Sequence, residues 1–233
     1  MLWTLIIVRY PKYLGVFGFL SMALFRVPLW FDKKITFWKL MGSSATGSFD
    51  IRPDLRQWAL LFASNDPTIP KFIRAYLRFF RCNLKEFIME PTTAHGSWDG
   101  KPLLASARKN IQRIGPVAVL TRATIRVNRL KNFWRHAPLV GKKLNNAKGL
   151  LGSYGLGELP FIKQATFSIW EDESSMVAFA YKADEHAQVI RKTRDENWYK
   201  EELFVRFRII SVSGFDERIA AKMLNLPASY EEA

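Results

Sequence analysis

The chain has little of what disulfide and multi-ligand metal chemistry require: its 233 residues include one cysteine, Cys82, and three histidines. A single cysteine excludes an internal disulfide framework and any thiolate cluster built by one chain. The histidines, His95, His136 and His186, lack metal-binding spacing such as HxxxH, which disfavours a zinc or iron site with several protein ligands. Acidic residues are also scarce, with 21 Asp and Glu against 35 Lys and Arg, for a net charge of +14. Long apolar runs are missing. The longest, residues 13–25, spans 13 residues and meets Arg26, so it is too short to cross a bilayer. The first residues lack the basic start and small-residue cleavage site of a signal peptide, and a cytoplasmic protein is expected.

What is present is core-forming material. Apolar residues make up 48% and aromatics 14%, with 18 Phe and 8 Trp, which excludes disorder. The positive charge is spread over both halves, with a basic stretch at 101–115 that holds four basic and no acidic side chains. Such a surface attracts anions, and nucleic acid, anionic lipid and an acidic cofactor all satisfy it. RNA binding is disfavoured because residues 164–170 lack the glycine-spaced aromatics of RNA-recognition sheets, and no nucleic-acid partner is expected.

The chain repeats itself. Residues 56–66 align without gaps on 163–173, and 40–43 match 150–153. Each copy reads as strand, helix, strand, strand, helix, strand. The first copy gives strands at 3–9, 35–42, 57–63 and 85–90 with helices at 13–29 and 68–81. The second gives strands at 117–126, 150–155, 164–170 and 202–212 with helices at 129–145 and 174–198. Asp66 and Asp172 supply N-cap chemistry before the second helix of each copy. The order βαββαβ is the ferredoxin-like motif. A ferredoxin-like unit leaves one sheet face bare, so two fused copies are expected to pack their sheets into a pseudo-dimeric α+β barrel with a cavity between sheets and helices. The organisation expected is a ferredoxin-like repeat at 1–100, a basic linker at 101–115, a second repeat at 116–215 and a C-terminal tail at 216–233.

Several segments resemble one known family in the same order: 35–43 (ITFWKLMGS), 115–126 (GPVAVLTRATIR), Phe133-Trp134-Arg135, 155–160 (GLGELP), 164–170 (QATFSIW), His186 with Ile190-Arg191, and 198–207 (WYKEELFVRF). They resemble spheroidene monooxygenase of bacterial carotenoid biosynthesis. The resemblance covers roughly residues 1–210 and is densest in the second copy. It implies oxygenation of an acyclic carotenoid or a similar apolar isoprenoid, with dioxygen, an electron donor such as a ferredoxin, and haem. The lysine-rich composition and the acidic tail leave room for a relative that serves a different apolar molecule.

A haem enzyme needs an axial ligand. His186 is the first candidate for the iron, because Phe179, Ala183, His186 and Ile190 fall on one helical stripe and neighbouring alanines leave room for a planar group. A core histidine held by a hydrogen bond explains the same pattern. His136 ranks second, while His95 reads as a solvated loop residue. The propionates call for cations beside an apolar pocket, and Arg122, Arg126 and Arg206 lie on expected strands. Arg122 and Arg126 share parity and would point the same way. These arginines either reach an anion or pair with Glu158 or Glu202, and Arg122 is the candidate to polarise bound dioxygen. Phe133, Trp134, Phe167 and Phe179 are the candidates to line a substrate slot, although ordinary core accounts for them equally well. Cys82 lies beside Arg78 and Arg81, which would lower its pKa, although a plain surface thiol is the simpler reading.

The first helix carries more apolar residues than one buried face needs, which points to burial all round or to contact with an anionic membrane surface. Two alternatives to a haem oxygenase stand beside it. One is a cofactor-independent ferredoxin-like monooxygenase, and the other is a non-enzymatic carrier of an apolar ligand.

Overall fold

A computed structural model describes residues 1–44, 52–102, 115–182, 193 and 195–225. Strands form where β-branched and aromatic residues run between turns. They are β1 Leu2–Arg9, β2 Ile35–Ser44, β3 Pro53–Ser64 and β4 Asn83–Gly96, then β5 Val117–Ile125, β6 Leu150–Leu159, β7 Lys163–Trp170 and β8 Tyr199–Ser213. Helices α1 Gly15–Leu24 and α2 Arg26–Phe31 lead from β1 to β2, α3 Lys71–Phe79 from β3 to β4, and α4 Leu130–Asn145 from β5 to β6. Helix α5 Glu173–Val177 follows β7 and runs into a π turn at Ala178–Lys182, and α6 Glu217–Leu224 follows β8.

The strands close into one antiparallel barrel in the order β1-β3-β2-β6-β7-β5-β8-β4. Within it each half keeps the ferredoxin-like order, β2-β3-β1-β4 and β6-β7-β5-β8. Two seams join the halves. The β4–β8 seam is long, from Glu86↔Ser213 to Gly96↔Leu203, whereas among the described residues β2–β6 pairs at Gly42↔Gly157 and Ser43↔Leu156. The expected pseudo-dimeric α+β barrel is what forms.

Three local expectations change. The helix expected at 13–29 is two helices, because Pro28 cannot donate to the Leu24 carbonyl and its ring crowds that group. Asp172 does cap α5, accepting from the Ser175 N–H at 2.7 Å, but Asp66 accepts from the Thr68 N–H in a turn ahead of α3. The helix expected at 174–198 does not reach Trp198. Asn197 is left-handed at φ 52°, and the Trp198 N–H donates back to the Thr193 carbonyl at 3.0 Å.

The alternation of side chains along each strand defines two environments. Inward residues, among them Trp3, Leu5, Phe87, Leu120, Phe167 and Phe207, fill the barrel with one packed cluster, which Met223 of α6 joins. Outward residues meet the helices, and here the halves differ. Ile6, Val8, Leu40, Trp58, Leu60 and Phe62 pack against Phe25, Leu29, Ile73 and Leu77 as one continuous core. In the second half the outer face carries two small separate clusters. Val117, Val119, Leu144, Trp170 and Met176 form one, and Ile125, Phe133, Ala137 and Trp198 form the other.

Candidate functional site

The strand register explains why the outer core of the second half is divided. In the first half Leu60 lies opposite Ile6 on β1 and Leu40 on β2. In the second half the same place is taken by Thr166, opposite Thr121 on β5 and Gly155 on β6. Trp58, opposite Val8 and Gly42, is matched by Gln164, opposite Ala123 and Gly157. Phe62 is matched by Ser168, which lies opposite Val119 and Ser153. Bulky apolar side chains are thus replaced by small or polar ones at successive positions. The result is a strip of low bulk between the two apolar clusters. Thr121 is exposed at mid-strand on β5, although neighbours flank it on both sides, while Thr166, Ala123 and Gly155 around it are buried. The hydroxyl of Thr166 and the Nε of Arg206 are buried there without a hydrogen-bond partner among the described residues. Polar atoms left dry in this way are costly, although Trp3 and Trp58 bury an unpartnered Nε1 within packed cores too.

The apolar clusters form the ends of this slot. At one end Phe179 packs on Trp170 with ring centroids 5.3 Å apart, and Arg206 reaches out from β8 to pair with Glu173 while stacking over Phe204 at 5.4 Å. At the other end Phe133 meets Trp134 edge-on at 5.2 Å, and His136 packs on Trp198 at 5.4 Å. The Nδ1 of His136 lies 2.8 Å from the Asn132 carbonyl. Only an N–H can satisfy a carbonyl, so Nδ1 carries a proton, and in the neutral ring Nε2 presents a lone pair. Arg126 is exposed beyond β5, with its Nε donating to the Tyr199 carbonyl at 3.2 Å. Burial, with a smaller effect from Glu202, pushes the Tyr199 phenol up, so it stays neutral. His186 falls in sequence between Phe179 and Trp198 but lies outside the described residues.

Arg122 belongs elsewhere. It points into the barrel, and its side chain is 1% exposed. There it pairs with Glu201, with Glu158 at 3.3 Å and with Asp99 at 3.4 Å, and it stacks over Trp98 at 5.4 Å. Lys39 pairs with Asp99 and with Glu158 at 3.3 Å, and Lys163 reaches Asp99 at 2.7 Å. Trp98 donates through Nε1 to Glu158 at 2.9 Å, while Ser97 and the Gly100 N–H each donate to Glu201 at 2.7 Å. Three carboxylates and three cations balance at one end of the barrel. Burial pushes the Asp99 carboxyl up, but hydrogen bonds from Lys163 and Lys39 outweigh it and hold the group at about 2. Burial acts likewise on Glu201, and bonds from Gly100, Ser97 and Arg122 bring it to about 2.

The expected site residues therefore divide between two sides of one sheet. Phe133, Trp134, His136, Phe179 and Arg206 meet the outer slot and Arg126 lies at its edge, whereas Arg122 and Phe167 face inward. The expectation that Arg122 and Arg126 share a face is corrected, because the strand ends at Ile125 and Arg126 follows a register shift. The expectation that Phe167 lines a slot with the other three aromatics is corrected by strand parity. Arg122 pairs with Glu158, one of the two partners considered, and with Glu201 in place of Glu202, whose parity turns it outward. His95 is exposed but sits on β4 and not in a loop. Cys82 is half-buried and not a plain surface thiol, and burial pushes it up to about 11, opposite to what the neighbouring arginines alone would do. Sequence reasoning missed Thr121, Thr166 and Gly155. Their signal was a polar break in strands whose counterparts carry Ile6 and Leu60.

Among the described residues no group of three His, Cys, Asp or Glu could hold a metal ion, and no helix is long and apolar enough to cross a membrane.

No family model matches the chain. An aldoxime dehydratase crystallised with butyraldoxime shares the fold, with a TM-score of 0.54 at 6% identity over 89% of this chain and 79% of that one. Among curated proteins, the spheroidene monooxygenase of Rhodobacter capsulatus is 33% identical over 201 residues, 83% of each chain. That of Rubrivivax gelatinosus is 35% identical over 184 residues, 76% of this chain and 70% of that protein. That of Cereibacter sphaeroides is 33% identical over 213 residues, 88% of this chain, which spans only 65% of that relative's length. With a third of positions identical along two relatives it largely covers, the chain belongs to the spheroidene monooxygenase family.

Proposed function

We propose that this chain is a haem-dependent monooxygenase that inserts oxygen into an acyclic carotenoid or a similar apolar isoprenoid, with cofactor and substrate held in the outer slot of the second half. The observation that carries the reading is the replacement of the Ile6, Leu40 and Leu60 positions by Thr121, Gly155 and Thr166, which removes bulk from one half while its counterpart stays packed. Family membership supports the reaction class.

The residues of the slot fit haem. His136 offers an Nε2 lone pair beside Trp198, and the aromatic clusters supply flat apolar walls. Arg206, whose Nε lacks a partner among the described residues, and the exposed Arg126 would be the cations for the propionates. His136 and, from the sequence, His186 are the residues that would hold the iron. Bound haem would supply the dioxygen chemistry. The overall change is insertion of one oxygen atom into a substrate C–H bond. The other atom leaves as water with two electrons and two protons, and the electrons come from a small carrier such as a ferredoxin. Repetition at the same carbon, with loss of water, yields a ketone. In this scheme Phe133, Trp134 and Phe179 hold a long apolar chain and keep water out, and the Thr166 hydroxyl is a donor for a polar group in the slot.

The test is a visible spectrum of the full chain reconstituted with haem, compared across His136→Ala, His186→Ala and His95→Ala. A Soret band that shifts or vanishes in one of the first two variants and persists in the third identifies the ligand. No specific band in the wild type would overturn the haem reading and leave a cofactor-independent oxygenase or a carrier.

A further inference from the structure

The helical layer over the first half has two apolar faces. Gly18, Ser21, Phe25 and Leu29, spaced three or four apart, are buried on the sheet. Opposite them runs a second stripe at the same spacing, which none of the described residues covers. It includes Val16 at 71% exposure, Phe19 at 69%, Trp30 at 78% and Phe31 at 77%, with Leu20 and Val27 between them. Helix α3 extends it. Phe72 and Phe79 are exposed, and α3 is tied to the first helices by the Phe25–Phe72 and Phe17–Phe80 ring contacts at 6.1 and 5.0 Å. Isolated exposed apolar residues need no explanation, but a contiguous patch of this kind marks an interaction surface.

The charge around the patch identifies the partner. Residues 10–34 carry Lys12, Arg26, Lys33 and Lys34 against a single acid, Asp32. Helix α3 adds Lys71, Arg74 and Arg78 with no acid at all. Large aromatics ringed by cations on a helix too short to span is the pattern of a segment lying in the headgroup region, where rings enter the acyl boundary and cations meet lipid phosphates. A second copy is a poor occupant. A two-fold contact through this face would set the same cations against themselves, with only Asp32 to relieve them.

We propose that the α1–α2–α3 face docks on an anionic lipid bilayer, with Phe19, Trp30 and Phe31 inserted and the surrounding Lys and Arg on the headgroups. The inference rests on the first half alone and does not depend on the cofactor.

The test uses the full chain with phosphatidylcholine vesicles containing about one-third phosphatidylglycerol. Wild-type protein is expected to float with these vesicles and to bind pure phosphatidylcholine less. Acyl-chain bromination is expected to quench its fluorescence through Trp30, the one Trp that is strongly exposed. A Phe19→Ser, Trp30→Ser, Phe31→Ser variant is expected to lose about tenfold or more in partitioning. All three side chains are exposed, so the variant keeps its fold, which circular dichroism checks. Trp30→Phe is expected to keep vesicle binding and lose most of the quenching. Failure to bind the anionic vesicles would overturn the proposal, and so would equal binding by the triple variant. Concentration-dependent dimerisation that the triple variant abolishes, without vesicle binding, would assign the face to a second copy instead.

Discussion

Thr166 occupies the place in the second half of the barrel that Leu60 occupies in the first, each facing outward between its two neighbouring strands. The slot follows from this exchange, so it can be reversed. The double variant Thr121→Ile, Thr166→Leu restores two of the three first-half positions and leaves Gly155 in the place of Leu40. It is expected to raise stability by about 1–3 kcal/mol, because apolar area is buried and a dry hydroxyl is removed. In a chain of this size that is about 2–4 °C in melting temperature per kcal/mol, read by calorimetry. The same variant should abolish haem reconstitution. A filled slot that still takes up haem would separate the slot from the cofactor.

Arg122 pairs with three carboxylates at one end of the barrel. Arg122→Ala leaves Glu201 and Glu158 without their main cation and is expected to cost about 3–5 kcal/mol, seen as a lower urea midpoint. Adding Glu201→Gln should recover part of the loss, because the pair is removed together. Additive losses would show that the two do not interact.

The same network sets an acid limit. Asp99 and Glu201 are both held at about 2, below the ordinary values of 3.8 and 4.5. Depressed carboxyl groups stabilise the fold fully above their unfolded values, and that contribution is lost as pH falls through the folded ones. Stability to urea is therefore expected to be flat from these groups above about pH 5 and to fall between about pH 4.5 and pH 2. An Asp99→Asn, Glu201→Gln variant should be less stable at neutral pH and show a shallower fall.

Cys82 should be a slow nucleophile. With its thiol pushed up to about 11 by burial, about one molecule in a thousand carries thiolate at pH 8. Alkylation by iodoacetamide is expected to rise about tenfold per pH unit from pH 8 to pH 10. A rate that levels off near neutral pH would mean that Arg78 or Arg81 activates the thiol after all.

Much of the fold was legible because its signals are local. β-Branched runs, turn residues and the βαββαβ order fixed the strands and their grouping, and chain fusion made the barrel the economical way to cover two bare sheets. The repeat was real, but its gap-free alignment was out of step. It set Trp58 against Ala165 and Leu60 against Phe167, pairing outward with inward residues, whereas the register sets Trp58 against Gln164 and Leu60 against Thr166. A slip of one residue turns every side chain to the other face, and letter similarity is blind to that. The slot was hidden for this reason. The network around Arg122 was hidden for another, since Lys39, Asp99, Glu158, Lys163 and Glu201 come from five separate segments that only barrel closure brings together.

The short β2–β6 seam has a consequence for motion. Gly42 and Gly157 face each other there without side chains to interlock, and besides the ladder the strands are linked by the Ser43 hydroxyl donating to the Gly155 carbonyl at 3.2 Å and by the Lys39–Glu158 ion pair at 3.3 Å. The opposite seam, with its ten paired positions, holds as a spine. The barrel thus has a built-in clasp, and amide hydrogen exchange along residues 42–43 and 156–157 should outpace that of β4 and β8 as the cylinder breathes open like a book. Gly155 sits beside that clasp and also in the floor of the slot, so each opening of the book would loosen the slot's floor as well.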